Sequence, residues 1–127
     1  MFVDYSDDQK ALRARLRKYF SGLIKPEYKE ELRSAEGGDL YKSLIRQMGK
    51  DNMLALGWPK EYGGAGLTPT EQLIFFEEAL LAAAPVPFVT LNTVGPAVMD
   101  HGTEEQKNRF LPLIAAGDVH FCIGYTE

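Results

Sequence analysis

The stretch Thr68-Pro69-Thr70-Glu71-Gln72-Leu73-Ile74-Phe75-Phe76-Glu77-Glu78-Ala79-Leu80-Leu81 decides the fold class. It opens with a capping hydroxyl, a proline at the first helical position and a glutamate at the third, a combination that satisfies the orphan amides of a helix start. Leu73, Ile74, Phe76, Leu80 and Leu81 then spread apolar surface over a wide arc. A helix of that kind is expected at the centre of a bundle. Pro85 and Pro87 end it, since proline supplies no backbone donor.

Upstream, Gly57-Trp58-Pro59-Lys60-Glu61-Tyr62-Gly63-Gly64-Ala65-Gly66 has too many glycines and prolines for a regular element. Trp58 and Tyr62 mark it as an ordered loop, either as core anchors or as part of a contact surface. Before it, Leu40, Tyr41, Leu44, Ile45 and Met48 recur at helical spacing and predict a helix over residues 40–50. Glu27 to Asp39 is polar and reads as a short helix or a loop. At the amino end, Ser6-Asp7-Asp8-Gln9 offers a cap and two acids suited to a helix dipole, and Leu12, Leu16, Tyr19, Phe20 and Leu23 form one stripe. That helix is expected to end near Pro26.

Downstream, Thr90 to Asp100 predicts a fourth helix, kinked or started late by Gly95-Pro96 and stopped by Gly102. Thr103-Glu104-Glu105-Gln106 is a further capping box, opening a helix that carries Phe110, Leu111, Leu113 and Ile114 and ends before Gly117, with Pro112 inside it. Val119, Phe121 and Ile123 then alternate with His120, Cys122 and Gly124 at the period of a strand. A lone strand needs an edge to pair with, supplied by further chain or by a partner. The expected class is therefore all-α: an orthogonal bundle of about five helices followed by one extended segment.

Composition narrows the functions. The 127 residues carry a net charge of -4 with no basic block, which argues against a nucleic-acid partner. No apolar run reaches the roughly 18 to 20 residues that span a bilayer, and MFVDYSDDQK lacks the order of a signal peptide. A single cysteine, Cys122, suits a reducing compartment, so the expected location is the cytoplasm. Two histidines, His101 and His120, without ligand spacing give no metal site. Cys122 and His120 could form a nucleophilic pair, although a half-buried thiol beside a surface imidazole is the simpler reading. Glu77-Glu78 and Glu104-Glu105 diverge by about 100° around their helices and are not catalytic carboxylate pairs. Gly63-Gly64-Ala65-Gly66 follows no strand and lacks the phosphate-loop pattern, so it reads as a packed turn.

Several segments, in this order, resemble the amino-terminal domain of acyl-CoA dehydrogenases. Gly57-Trp58-Pro59-Lys60-Glu61-Tyr62-Gly63-Gly64 is similar to the family's segment before the third long helix. Gly102-Thr103-Glu104-Glu105-Gln106-Lys107 with Phe110-Leu111-Pro112 is similar to its Gly-x-x-x-Gln-Lys and Leu-Pro helix, and Gly124-Tyr125-Thr126-Glu127 to the opening of its Thr-Glu-Pro flavin motif. Ile123-Gly124-Tyr125-Thr126-Glu127 together with Gly57-Trp58-Pro59-Lys60-Glu61 is further similar to actinobacterial members acting on steroid side-chain CoA thioesters.

The resemblance implies an amino-terminal helical domain over 1–118 and, over 119–127, the first strand of a middle β-barrel domain. A carboxy-terminal bundle would complete the fold, with FAD between barrel and bundle. It implies removal of an α-proton by a glutamate while the β-hydrogen leaves as hydride to the flavin, giving a trans-2-enoyl-CoA. That glutamate belongs to the last bundle, so no catalytic residue and no metal ligand is expected here. Ile123, Tyr125 and Thr126 would contact FAD, and Phe88, Val89, Thr90, Asn92 and Thr93 would line the acyl pocket, or simply pack as helix and strand residues. Implied partners are an acyl-CoA, an electron-transfer flavoprotein or similar acceptor, and further subunits of a homo- or hetero-oligomeric tetramer. The alternative is a stand-alone helical interaction module without catalysis.

Overall fold

The computed structural model describes residues 4–125. Among these, six α-helices and no strand are present: α1 (Asp7–Leu23), α2 (Tyr28–Ser34), α3 (Asp39–Lys50), α4 (Pro69–Leu81), α5 (Gly95–His101) and α6 (Glu104–Ala115). A 3-10 turn at Lys60–Tyr62 lies in the glycine-rich loop, and a π turn at Thr90–Val94 runs into α5. The class is all-α, as expected, and the polar stretch after Pro26 resolves into the short helix α2.

The helix starts follow local chemistry. Ser6, Thr68 and Thr103 each cap a helix, with reciprocal bonds to Gln9, Glu71 and Gln106 respectively. The helix ends are equally local. In α3, α4 and α6 the residue after the cap turns left-handed, being Asn52, Ala83 and Gly117, and the next amide reaches back five residues. These are Schellman closures, a conformation that glycine adopts freely and alanine does not.

The core joins Leu16 and Phe20 of α1, Ile45 and Met48 of α3, Ile74 and Phe75 of α4, and Leu111 and Ile114 of α6, all fully buried. The Phe20 and Phe75 rings meet at 5.5 Å between centroids. One expectation fails here. Helix α4 is not buried over a wide arc: it buries Ile74, Phe75, Glu78 and Ala79 against α1, while Leu73, Leu80 and Leu81 are 52%, 81% and 74% exposed. Apolar periodicity gives the width of a stripe, whereas the side that is covered depends on which helix packs against it.

The face between α1 and α4 is also charged. Glu78 is buried and takes two bonds from Arg17, at 2.9 and 2.8 Å, while Glu77 pairs with Arg13. Burying a carboxylate is tolerable because both its oxygens are matched by a guanidinium fork. Arg17 is held above its ordinary pKa by its hydrogen bonds to Glu78, and neither glutamate is free for other chemistry.

Candidate functional site

The glycine-rich loop supports the site from below. Trp58 is buried, and its indole N–H donates to the Leu91 carbonyl at 3.3 Å. The reason lies in the π turn. The Gly95 amide bonds to the Thr90 carbonyl five residues back, so in the same register Leu91 would look to residue 96, which is a proline without a donor. Trp58 supplies the missing hydrogen. The indole fits because residue 95 is glycine: a Cβ there would stand 2.1 Å from the Trp58 ring. Gln72 of α4 ties the loop down further, accepting from the Gly57 amide at 2.7 Å.

Above the π turn lies a cavity of about 580 Å³. Val86, Pro87, Phe88, Val89 and Thr90 form one wall and His120, Phe121, Cys122 and Ile123 another, with Tyr41, Lys42, Glu36 and Gly37 at the α3 side. The structure thus brings Phe88, Val89 and Thr90 together with Ile123. Asn92 and Thr93 do not line the cavity; both are exposed on the far side of the turn, because neighbouring helical positions diverge by about 100°. Tyr125 is 89% exposed and outside it, and Thr126 lies beyond the described residues. The sequence presents Tyr41 only as part of a helix stripe. Its place at the end of that stripe, with a polar tip on an apolar body, was the available signal.

Residues 119–124 belong to no helix or strand and Tyr125 sits in a bend, with no ladder partner among the described residues. The segment is held from several sides, its Val119 amide bonding to the Leu113 carbonyl at 3.4 Å. Asp118 pairs with Arg46 at 3.0 Å, the Phe121 ring meets Phe110 edge-on at 5.6 Å, and the Thr90 hydroxyl bonds to the Phe121 backbone. Beyond Phe121 the backbone amides and carbonyls up to Tyr125 have no hydrogen-bond partner among the described residues.

The electrostatics of the rim follow from burial. His120 is held below the ordinary imidazole value chiefly by desolvation, with Arg46 and Lys42 pushing the same way and Asp118 opposing. Tyr41 is raised by burial and then by Glu36, which keeps its phenol protonated. The cavity is lined mostly by apolar side chains, with the Tyr41 phenol, the His120 imidazole, Lys42 and Glu36 at its edge. Cys122 is a free, exposed thiol. No group of acids, histidines and cysteines among the described residues could hold a metal ion.

Residues 6–118 match the family described as acyl-CoA dehydrogenase, N-terminal domain. The chain belongs to the acyl-CoA dehydrogenase family. It is 54% identical over 131 residues to acyl-CoA dehydrogenase FadE26 of Mycobacterium tuberculosis, an alignment covering 100% of this chain and 33% of that protein. In the crystal structure of the ChsE4-ChsE5 complex from Mycobacterium tuberculosis, one chain superposes with a TM-score of 0.92 at 54% identity, over 100% of this chain and 32% of that one. The Tcur3481-Tcur3483 steroid ACAD gives a TM-score of 0.92 at 44% identity, covering 100% of this chain and 33% of its counterpart. The chain thus spans about a third of the length of these acyl-CoA dehydrogenases. No helix among its described residues is long and apolar enough to cross a membrane.

Proposed function

We propose that the protein carrying this chain dehydrogenates an acyl-CoA thioester to a trans-2-enoyl-CoA, and that its substrates are bulky thioesters of the steroid side-chain kind. The observation that carries this reading is the meeting, at one apolar cavity, of the Phe88–Thr90 wall with an extended segment whose backbone edge is open. Family membership and the names of the relatives point the same way.

Residues 119–127 are assigned to the start of the middle domain, and residues 1–118 to the helical domain. Successive amides and carbonyls from Cys122 to Tyr125 are unpaired among the described residues, and a flat ring with alternating donors and acceptors is complementary to such an edge. Ile123, Tyr125 and Thr126 would hold FAD there. Bound FAD supplies hydride acceptance from the β-carbon. This chain's own part is to shape the acyl cavity with Val89 and its neighbours, excluding water with Phe88, Phe121 and Ile123. The resemblance assigns removal of the α-proton to a glutamate of the last bundle; Glu77 and Glu78 of this chain are engaged by arginines. The electron acceptor is an electron-transfer flavoprotein or a similar protein. The protein works in the cytoplasm, in an oligomer of paired subunits as in the complex named for ChsE4 and ChsE5.

The test is Val89→Trp in the full-length protein. Activity on steroid side-chain CoA thioesters should fall about tenfold or more relative to short linear acyl-CoA. Unchanged selectivity would remove Val89 from the pocket, and a full-length protein that takes up no FAD would sink the dehydrogenase reading.

A further inference from the structure

We propose that Thr90 is the positioning residue that sets the segment from Val119 against the acyl cavity, its single hydroxyl answering both backbone groups of Phe121 as a residue on a facing strand would. Thr90 is 1% exposed. Its Oγ1 accepts from the Phe121 amide at 2.9 Å and donates to the Phe121 carbonyl at 3.3 Å. In an antiparallel ladder, a residue in a hydrogen-bonded pair exchanges both of its backbone groups with the residue opposite. A hydroxyl, with one hydrogen and two lone pairs, can answer both groups at once.

The consequence is register. A slip of one residue would set His120 or Cys122 against Thr90 in place of Phe121 and carry Ile123 to another place along the cavity wall. The Phe121 ring against Phe110 and the two-point bond from Thr90 fix the same residue, one through its side chain and the other through its backbone. Thr90 also follows Val89 and Phe88 directly in the cavity wall, so a ligand seated against that wall bears on the same turn that holds the segment. The effect on cofactor affinity rests on the dehydrogenase reading; the effect on register does not.

The experiment compares wild type, Thr90→Val and Thr90→Ser in the full-length protein. Valine keeps the shape and removes both bonds, whereas serine keeps the hydroxyl and loses a methyl group. Hydrogen exchange at the Phe121 amide should accelerate about tenfold in Thr90→Val and stay near wild type in Thr90→Ser, with the core amides of α1 and α4 unchanged. FAD affinity, read from flavin fluorescence, should weaken by about tenfold in Thr90→Val and recover in Thr90→Ser. Wild-type protection of Phe121 in Thr90→Val overturns the proposal, as does equal loss in both variants, which would make the methyl packing responsible. Equal FAD affinity in all three proteins overturns the positioning role. A wild-type protein that binds no FAD counts against the dehydrogenase reading instead, and exchange at Phe121 then decides the clasp alone.

Discussion

The loop from Gly57 to Leu67 and the segment from Val119 to Tyr125 both lack extended regular structure, yet they are built on opposite plans. The loop closes its own hydrogen bonds: Gly64 to Pro59, Gly66 to Trp58, Leu67 to Leu56 and Ala65 to Ala55. It then buries Trp58 under the π turn. The segment satisfies one residue, Phe121, through a side chain and leaves the following backbone groups open. Irregular chain becomes a fixed support when its polar groups are answered internally, and keeps groups open to a further partner when, as here among the described residues, they are not. In this domain the support lies beneath the cavity and the edge lies along its rim.

The strongest way to break that contrast is Trp58→Ala. It removes a buried aromatic ring and the donor for the Leu91 carbonyl, and should cost about 3–5 kcal/mol in denaturant unfolding. Trp58→Phe, which keeps the ring and loses the N–H, should cost about 1–3 kcal/mol. If the alanine variant cost less than about 1 kcal/mol, the loop would be no better anchored than the segment.

Ala83→Gly probes a point outside both regions. Ala83 is exposed and left-handed at the end of α4, where Asn52 and Gly117 occupy the matching positions of α3 and α6. Relief of that backbone conformation should stabilise the fold by about 0.5–1 kcal/mol, net of the greater freedom glycine gives the unfolded chain, seen as a rise in the unfolding midpoint. A loss of stability would show that the alanine side chain is needed where the chain leaves α4 for the cavity wall.

The smallest effect concerns pH and the segment alone. His120 titrates below the ordinary 6.5 in the folded state, mainly through burial. The unfolded chain therefore takes up the proton first. Its contribution to stability is complete above 6.5 and is lost as pH falls from there towards the folded value, after which it levels off. Thermal unfolding followed between pH 7 and 5 should show that loss in wild type and a flatter profile in His120→Gln. Identical profiles would mean that the imidazole does not sense the packing of the segment.

Much of this was legible in local chemistry. Three capping boxes and the stops at Gly102 and Gly117 depend on residues a few positions apart, and short-range bonds are what a sequence spells out directly. The sequence by itself therefore determined an all-helical chain, where its long helices begin and which loop would be rigid. It also carried Phe88, Val89, Thr90 and Ile123, which share one cavity, but equally Asn92 and Thr93, which turn away from it. Tertiary structure decided that selection, because the π turn sets which side chains face inward and its Leu91 carbonyl is answered from 33 residues away. It also decided which face of α4 is covered and that Thr90 clasps Phe121, 31 residues on. Periodicity records how apolar a surface is; what meets it depends on the path of the whole chain.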